Sequence, residues 1–243
     1  MSQGPFAAAL GAALAALMLC GAGPYTNRLS PQDLRHIRTV AVIPALGATF
    51  LFQHVRDTPY EWLGPPDSHF LEISDWGLDA RVGRTVTDAL GARFAVKPVA
   101  FASANFSSWN DGILKRSTLD LNVDPAIDAY VLILRDWCPD TIGYSVHALG
   151  GLGLYRRDGN SPRFGVFACY RIVVVNALTG DIIASRAAKN AAGELPRISA
   201  APSMWPKTSN DLSAAQRVAL ANVETGLIDD TLLKTLQQMN LVR

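Results

Sequence analysis

Three stretches of this chain are almost uninterrupted in their apolar character: Thr39–Pro44, the residues from Asp128 to Leu134, and Phe164–Val175. Their β-branched and aromatic residues do not alternate with polar ones, which is the pattern of strands covered on both faces. Such strands need layers packed against them, and the intervening segments supply candidates. Leu78, Val82, Val86, Leu90 and Phe94 recur at helical spacing, with Arg81, Arg84 and Asp88 on other faces and Ser74 or Asp75 as N-cap. Near the C-terminus, Ser213 and Gln216 have the spacing of a capping box, and Val223, Leu227, Leu232, Leu236 and Met239 line one helical face.

Shorter signals fill the remainder. Residues 24–38 read as a polar opening segment with a short helix capped at Ser30 and Pro31 in its first position. Strands are expected over Thr49–Val55 and Phe70–Ile73, on either side of a loop containing Pro59, Gly64, Pro65 and Pro66, and over Ala95–Val99. Gly143–Tyr155 reads as a glycine-rich, bent strand. Turns at Asp158–Asn160 and Thr179–Asp181 then join Phe164–Val175 and Ile182–Ala187 into an antiparallel meander. Residues 190–211 read as a loop. The expected fold is mixed α+β (an α/β class chain): one mixed sheet with an antiparallel meander and helices packed on it, including a long C-terminal helix.

The N-terminus points to export. Phe6–Leu19 is a run of about 14 residues without a polar side chain, too short to cross a bilayer as a helix but suited to the apolar core of a signal peptide. Cys20 and Ala22 satisfy the small-x-small rule for cleavage after residue 22, although no Lys or Arg precedes the run. The expectation is therefore a signal peptide over 1–22 and a single domain over 23–243, placed in the periplasm or secreted. Cys20 also follows Leu17-Met18-Leu19, so a lipid anchor there, tethering the protein to the membrane, stays open despite the bulky Leu19. Cys138 and Cys169 remain after cleavage, and in an oxidising compartment they are either a disulfide or two buried thiols.

Charge excludes one class of partner. The chain has 243 residues, a formal net charge of +1 and no basic run, so nothing recruits nucleic acid. With 49% hydrophobic and 18% charged residues it is not a disordered chain.

The segments TVAVIPA, DAYVLI and CYRIVVVNALTGDIIASRA, in that order, resemble a group of small envelope domains. The group comprises the penicillin-binding-protein activator lipoprotein, the curli secretion lipoprotein and the N-terminal domain of the Tol-system propeller protein. In those proteins a D-x-x-T-G-like turn precedes the last strand, and here Asn176 stands where Asp is usual. The segment SDWGLDARVGRTVTDALGARFAVKPV is similar to an uncharacterised family of bacterial exported proteins. These resemblances imply a domain that works through its surfaces and carry over no catalytic residue.

Chemical motifs are sparse. Gly143-Tyr144-Ser145-Val146-His147 echoes the nucleophile elbow, but His147 fills the place of a small residue and no helix follows. Asp67-Ser68-His69 sets three triad residue types side by side, where neighbouring side chains of an extended segment diverge. His36, His54, His69 and His147 lack metal-ligand spacing, so no metal is expected. Gly150–Gly153 lacks the Lys and following helix of a phosphate loop, and no cofactor is expected. Cys138 is a candidate thiol nucleophile if a base lies near it. Trp62 and Trp205, in the two proline-bearing loops, are candidate interaction residues. The expected function is non-catalytic binding of an envelope protein or cell-wall component. The alternative is a periplasmic hydrolase using Ser145, with His147, or Cys138.

Overall fold

The computed structural model describes residues 26–56, 65–101, 124–206 and 212–243. The signal segment, Cys20, Trp62 and Trp109 lie outside them. Twelve strands run β1 (Thr39–Ala45), β2 (Thr49–Val55), β3 (Asp67–Glu72), β4 (Ala95–Lys97), β5 (Ala129–Arg135), β6 (Trp137–Pro139), β7 (Ala148–Gly150), β8 (Leu152–Arg157), β9 (Arg163–Ala168), β10 (Tyr170–Asn176), β11 (Ile182–Ala187) and β12 (Arg197–Ser199). The helices are α1 (Asp33–His36), α2 (Leu78–Gly91) and α3 (Ala214–Gln238).

The expected single sheet is in fact two five-stranded sheets and a small ribbon. The first sheet has the order β11-β10-β5-β1-β4, the second β12-β9-β8-β2-β3, and β6 pairs with β7. Strands β4 and β5 run parallel to β1, whereas β10 and β11 are antiparallel additions. The long Phe164–Val175 run is divided at Cys169, where the chain leaves the second sheet and enters the first. Hydrogen bonds from Asp136 N to Cys169 O (3.0 Å) and from Cys169 N to Gly151 O (2.7 Å) pin the crossing. Gly151, at φ +64°, makes a second break between β7 and β8, and Gly47, at φ +76°, redirects the chain from β1 into β2. Only glycine enters that region of backbone space without cost.

Arg135 fills the corner these breaks create. Its guanidinium donates to the carbonyls of Leu46 and Thr49 and to the Thr49 hydroxyl and lies against Gly47, and its stem lies against Gly151. A Cβ on Gly151 would lie 3.0 Å from the Arg135 Cδ. The disulfide between Cys138 and Cys169, with Cα atoms 6.0 Å apart, staples the same corner.

Helices α2 and α3 cover one continuous face. Val40, Val131, Ile133, Ile172 and Val174 of the first sheet join Phe50, Phe52, Leu154 and Val166 of the second in one core with Val82, Val86, Leu90, Leu232 and Leu236. The capping box of α3 forms as expected, with Ser213 Oγ accepting from Gln216 N. Its buried stripe differs from the expected one, running through Leu220, Glu224, Ile228, Thr231, Leu232, Thr235 and Leu236, with Val223 and Leu227 at its margin. Thr231 and Thr235 joined the core because their hydroxyls find local acceptors, donating back to Leu227 O and Thr231 O. Helix α2 begins after Gly77, without a side-chain cap from Ser74 or Asp75, which instead form a 3₁₀ turn. Among the described residues no helix is long and apolar enough to cross a membrane.

A candidate ligand groove on the second sheet

The reverse face of the second sheet is covered by the segment from Asp140 to His147, and Asp140 organises it. Its Oδ1 accepts from Ile142 N and Gly143 N at 2.9 and 2.7 Å. Its Oδ2 accepts from Ser145 N, Ser145 Oγ and the Tyr155 hydroxyl at 3.0, 2.6 and 2.7 Å. Burial works to raise the Asp140 pKa, and the bonds from Ser145, Gly143 and Tyr155 outweigh it, holding the carboxyl below its ordinary value. The same burial, together with Asp140, pushes the Tyr155 hydroxyl well above the usual tyrosine range. The loop so fixed presents Tyr144 at φ +55°, a strained conformation for a bulky residue. Tyr144 and Val146 are 66% and 65% exposed, so a rigid base displays apolar side chains to solvent.

Beside this loop lies a groove of about 680 Å³. Arginines from three strands are in its lining: Arg156 from β8, Arg163 from β9 and Arg197 from β12. Asp158 is the carboxylate of its lining, and it is engaged by His54 Nε2 and Arg156 Nε, both at 2.7 Å. Burial raises the Asp158 pKa, and these bonds more than offset it. The Arg156 guanidinium sits 5.7 Å from the Phe164 ring centre and 5.9 Å from that of Trp205, within cation–π range of both. Arg163 lies 5.2 Å from the Tyr144 ring centre and donates to Ile142 O at 3.2 Å. Arg197 meets Glu194 at 3.4 Å, and its buried Nε has no hydrogen-bond partner among the described residues.

None of the residues singled out in the sequence is in the described lining of this groove. Ser145 donates to a carboxylate rather than to an imidazole, and it is the His147 backbone N, at 3.3 Å, that approaches its Oγ. Cys138 is bonded to Cys169 and so offers no thiolate. Asp136 lies with the two bonded sulfurs, its Oδ2 paired with Arg171 at 2.8 Å. Asp67, Ser68 and His69 lie along β3, where His69 stacks on Phe52 with ring centres 4.9 Å apart. Trp205 is partly buried against the main core, edge-on to Phe52 at 5.8 Å and near His54 and His69. Sequence reasoning overlooked the arginines. A signal was available: Arg156–Arg157 and Arg163 flank the Asp158–Asn160 turn, and a hairpin there makes them cross-strand neighbours.

Neither the known protein families nor the curated proteins contain a match to this chain. Among solved structures, a hypothetical protein from Chlamydia trachomatis aligns at 9% identity and a TM-score of 0.36, over 83% of this chain and 95% of that one. A lipoprotein from Neisseria meningitidis aligns at 11% identity and a TM-score of 0.28, over 79% and 98%. A DUF330 protein from Xanthomonas campestris aligns at 13% identity and a TM-score of 0.33, over 89% and 96%. Likenesses of this size lend the chain neither a family nor an activity.

Proposed function

We propose that this chain is an exported, non-catalytic protein of the cell envelope that captures a partner through the groove on its second sheet. The observation that carries the reading is the groove lined by Arg156, Arg163 and Arg197, with Arg163 against the exposed, rigidly mounted Tyr144. Tyrosine and arginine are the side chains most often responsible for binding energy at protein interfaces, and preorganisation lowers the entropic cost of using them. The apolar N-terminal run supports export. The engagement of Ser145 with Asp140 and of Cys138 with Cys169 supports a binding rather than a hydrolytic role.

The test is photo-crosslinking in intact host cells with a benzophenone amino acid at position 144, and at Gln237 on the far end of α3 as the control. A discrete adduct at 144 that vanishes on Arg163→Glu is the expected result. Stoichiometric labelling of Ser145 in the folded protein by a fluorophosphonate probe overturns the non-catalytic reading.

A further inference from the structure

We propose that the end of the first sheet at which the chain enters the fold rests on an anionic phospholipid surface through a shallow pocket of arginines; this goes beyond the groove and does not depend on it. A cavity of about 510 Å³ at that end is lined by Arg35, Arg93 and Arg243, together with Leu34, Asn240 and Val242. No side-chain carboxylate is in its described lining, and none of the three arginines forms an ion pair among the described residues. Arg93 Nη1 donates to Asn240 O at 2.6 Å, which ties the end of α2 to the end of α3. Arg35 and Arg243 are exposed. Helix α1 divides the charges of this end: Asp33 and His36 line a separate cleft with Asp124 and Asp128, whereas Leu34 and Arg35 line the arginine pocket. The attraction is therefore local to the pocket, on a chain whose net charge is +1.

The path of the chain selects a membrane as the occupant. Strands β1 and β4 begin in register, Thr39 opposite Ala95, so α1 and Arg93, which precede them, lie at one end of the sheet. Strand β11 begins at that end as well, because Ile182 pairs with Val175, Asn176 with Ala129 and Ala129 with Val40. Thr26 runs parallel to β11 at Ala184, so the chain comes into the fold from this end. It then passes the C-terminal end of α3: Leu29 N donates to Met239 O at 3.1 Å, and Asn240 Nδ2 donates to Leu29 O at 2.9 Å. The fold thus takes in its N-terminal segment beside the arginines. Cys20, where the sequence leaves a lipid anchor open, precedes Thr26 by at most about 20 Å of extended chain. A tether that short would hold the guanidinium groups at the headgroup layer and raise their effective concentration there. Each basic residue near an anionic leaflet strengthens partition by roughly fivefold.

The test is co-sedimentation of the full mature chain, its disulfide intact, with vesicles of equal phosphatidylglycerol and phosphatidylcholine. Binding is expected at low ionic strength, with its loss at about 0.5 M salt. Arg35→Glu/Arg243→Glu should weaken it about tenfold or more. Arg84→Glu/Lys189→Glu carries the same net charge, at exposed positions on α2 and after β11, and should weaken it less than about threefold. None of these four side chains forms an ion pair among the described residues, and melting of both double variants establishes that they fold. Slowed amide exchange at residues 34–36 and 241–243 on the vesicles reads the contact without any substitution. Absence of sedimentation up to about 10 mM lipid overturns the proposal. Equal binding to phosphatidylcholine alone, or an equal loss in both double variants, also overturns it. So does tighter binding of soluble polyglutamate than of vesicles at equal charge concentration, which assigns the pocket to an acidic protein. The crosslink at position 144 reads the groove separately, so either reading can fall while the other stands.

Discussion

The Tyr155 hydroxyl reaches Asp140 Oδ2 at 2.7 Å from inside the second sheet, so the sheet's buried face and the loop that carries Tyr144 share one carboxylate. Five donors meet that carboxylate, and none of them is a cation. Replacing Asp140 by Ala leaves buried N–H and O–H groups without acceptors, each costing on the order of 1–3 kcal/mol when unsatisfied.

Asp140→Ala is accordingly expected to lower the urea unfolding free energy by about 3–4 kcal/mol, and Asp140→Asn by less, since the amide oxygen keeps part of the acceptor capacity. The pH dependence has a definite sign. Because the folded-state pKa is depressed, the stabilisation is present above the unfolded value near about 4 and is lost as pH falls through the folded value. Urea titrations at neutral and acid pH check both points; a variant as stable as the parent at neutral pH contradicts the first.

Gly143 is required by the same contact. A Cβ there would fall 2.0 Å from the Tyr155 hydroxyl oxygen and 2.7 Å from its ring carbon, in a buried aromatic that cannot swing aside. Gly143→Ala is expected to cost about 1–3 kcal/mol or more and to free the Tyr144 loop. Thermal melting reads the cost, and amide exchange at Ser145 reads the loosening.

The parts of the fold that show in the sequence are those set by local pattern. Thr39–Ala45 and Ala129–Arg135 became the central strands of the first sheet because an uninterrupted apolar run tolerates burial on both faces. The α3 capping box is a contact between residues three apart. Asn176 makes the turn expected of its position, its Oδ1 accepting from Leu178 N and Thr179 N. What does not show is set at long range. The change of sheet at Cys169 depends on bonds to Asp136 and Gly151, and the apolar run reads alike on either side of it. The groove depends on β12, three residues inside an expected loop, and on pairing that gathers arginines from positions 156, 163 and 197.

The Cys138–Cys169 bond closes a sequence separation of 31 residues at the corner where the chain changes sheets. Loop-closure entropy assigns such a cross-link about 3–4 kcal/mol. The double variant Cys138→Ala/Cys169→Ala is expected to unfold at lower urea by that amount, and reduction of the parent protein should reproduce the shift. An unchanged midpoint under reduction shows that the corner is held by Arg135 and the backbone bonds alone.

Glu224 is the buried carboxyl whose titration should reach the whole fold. It is fully enclosed on α3; Oε1 accepts from Gly153 N at 3.1 Å, and Oε2 has no partner among the described residues. Burial raises its pKa well above the ordinary value, only partly countered by the Gly153 bond and by Arg135. A carboxyl raised in this way contributes stability that is present below its unfolded value, near about 4.3, and lost as pH climbs toward the folded value. Over that window each pH unit removes at most about 1.4 kcal/mol. Glu224→Gln retains the acceptor for Gly153 and cannot ionise, so it should flatten the curve of stability against pH. Its advantage over the parent should grow as pH climbs above the unfolded value, and measuring urea midpoints of both proteins across that rise decides the matter. Asp79, also raised by burial, slopes the same way in both proteins and cancels from the difference. Parallel curves would mean that Glu224 is ionised in the fold, with its charge balanced by Arg135 across the corner of the two sheets.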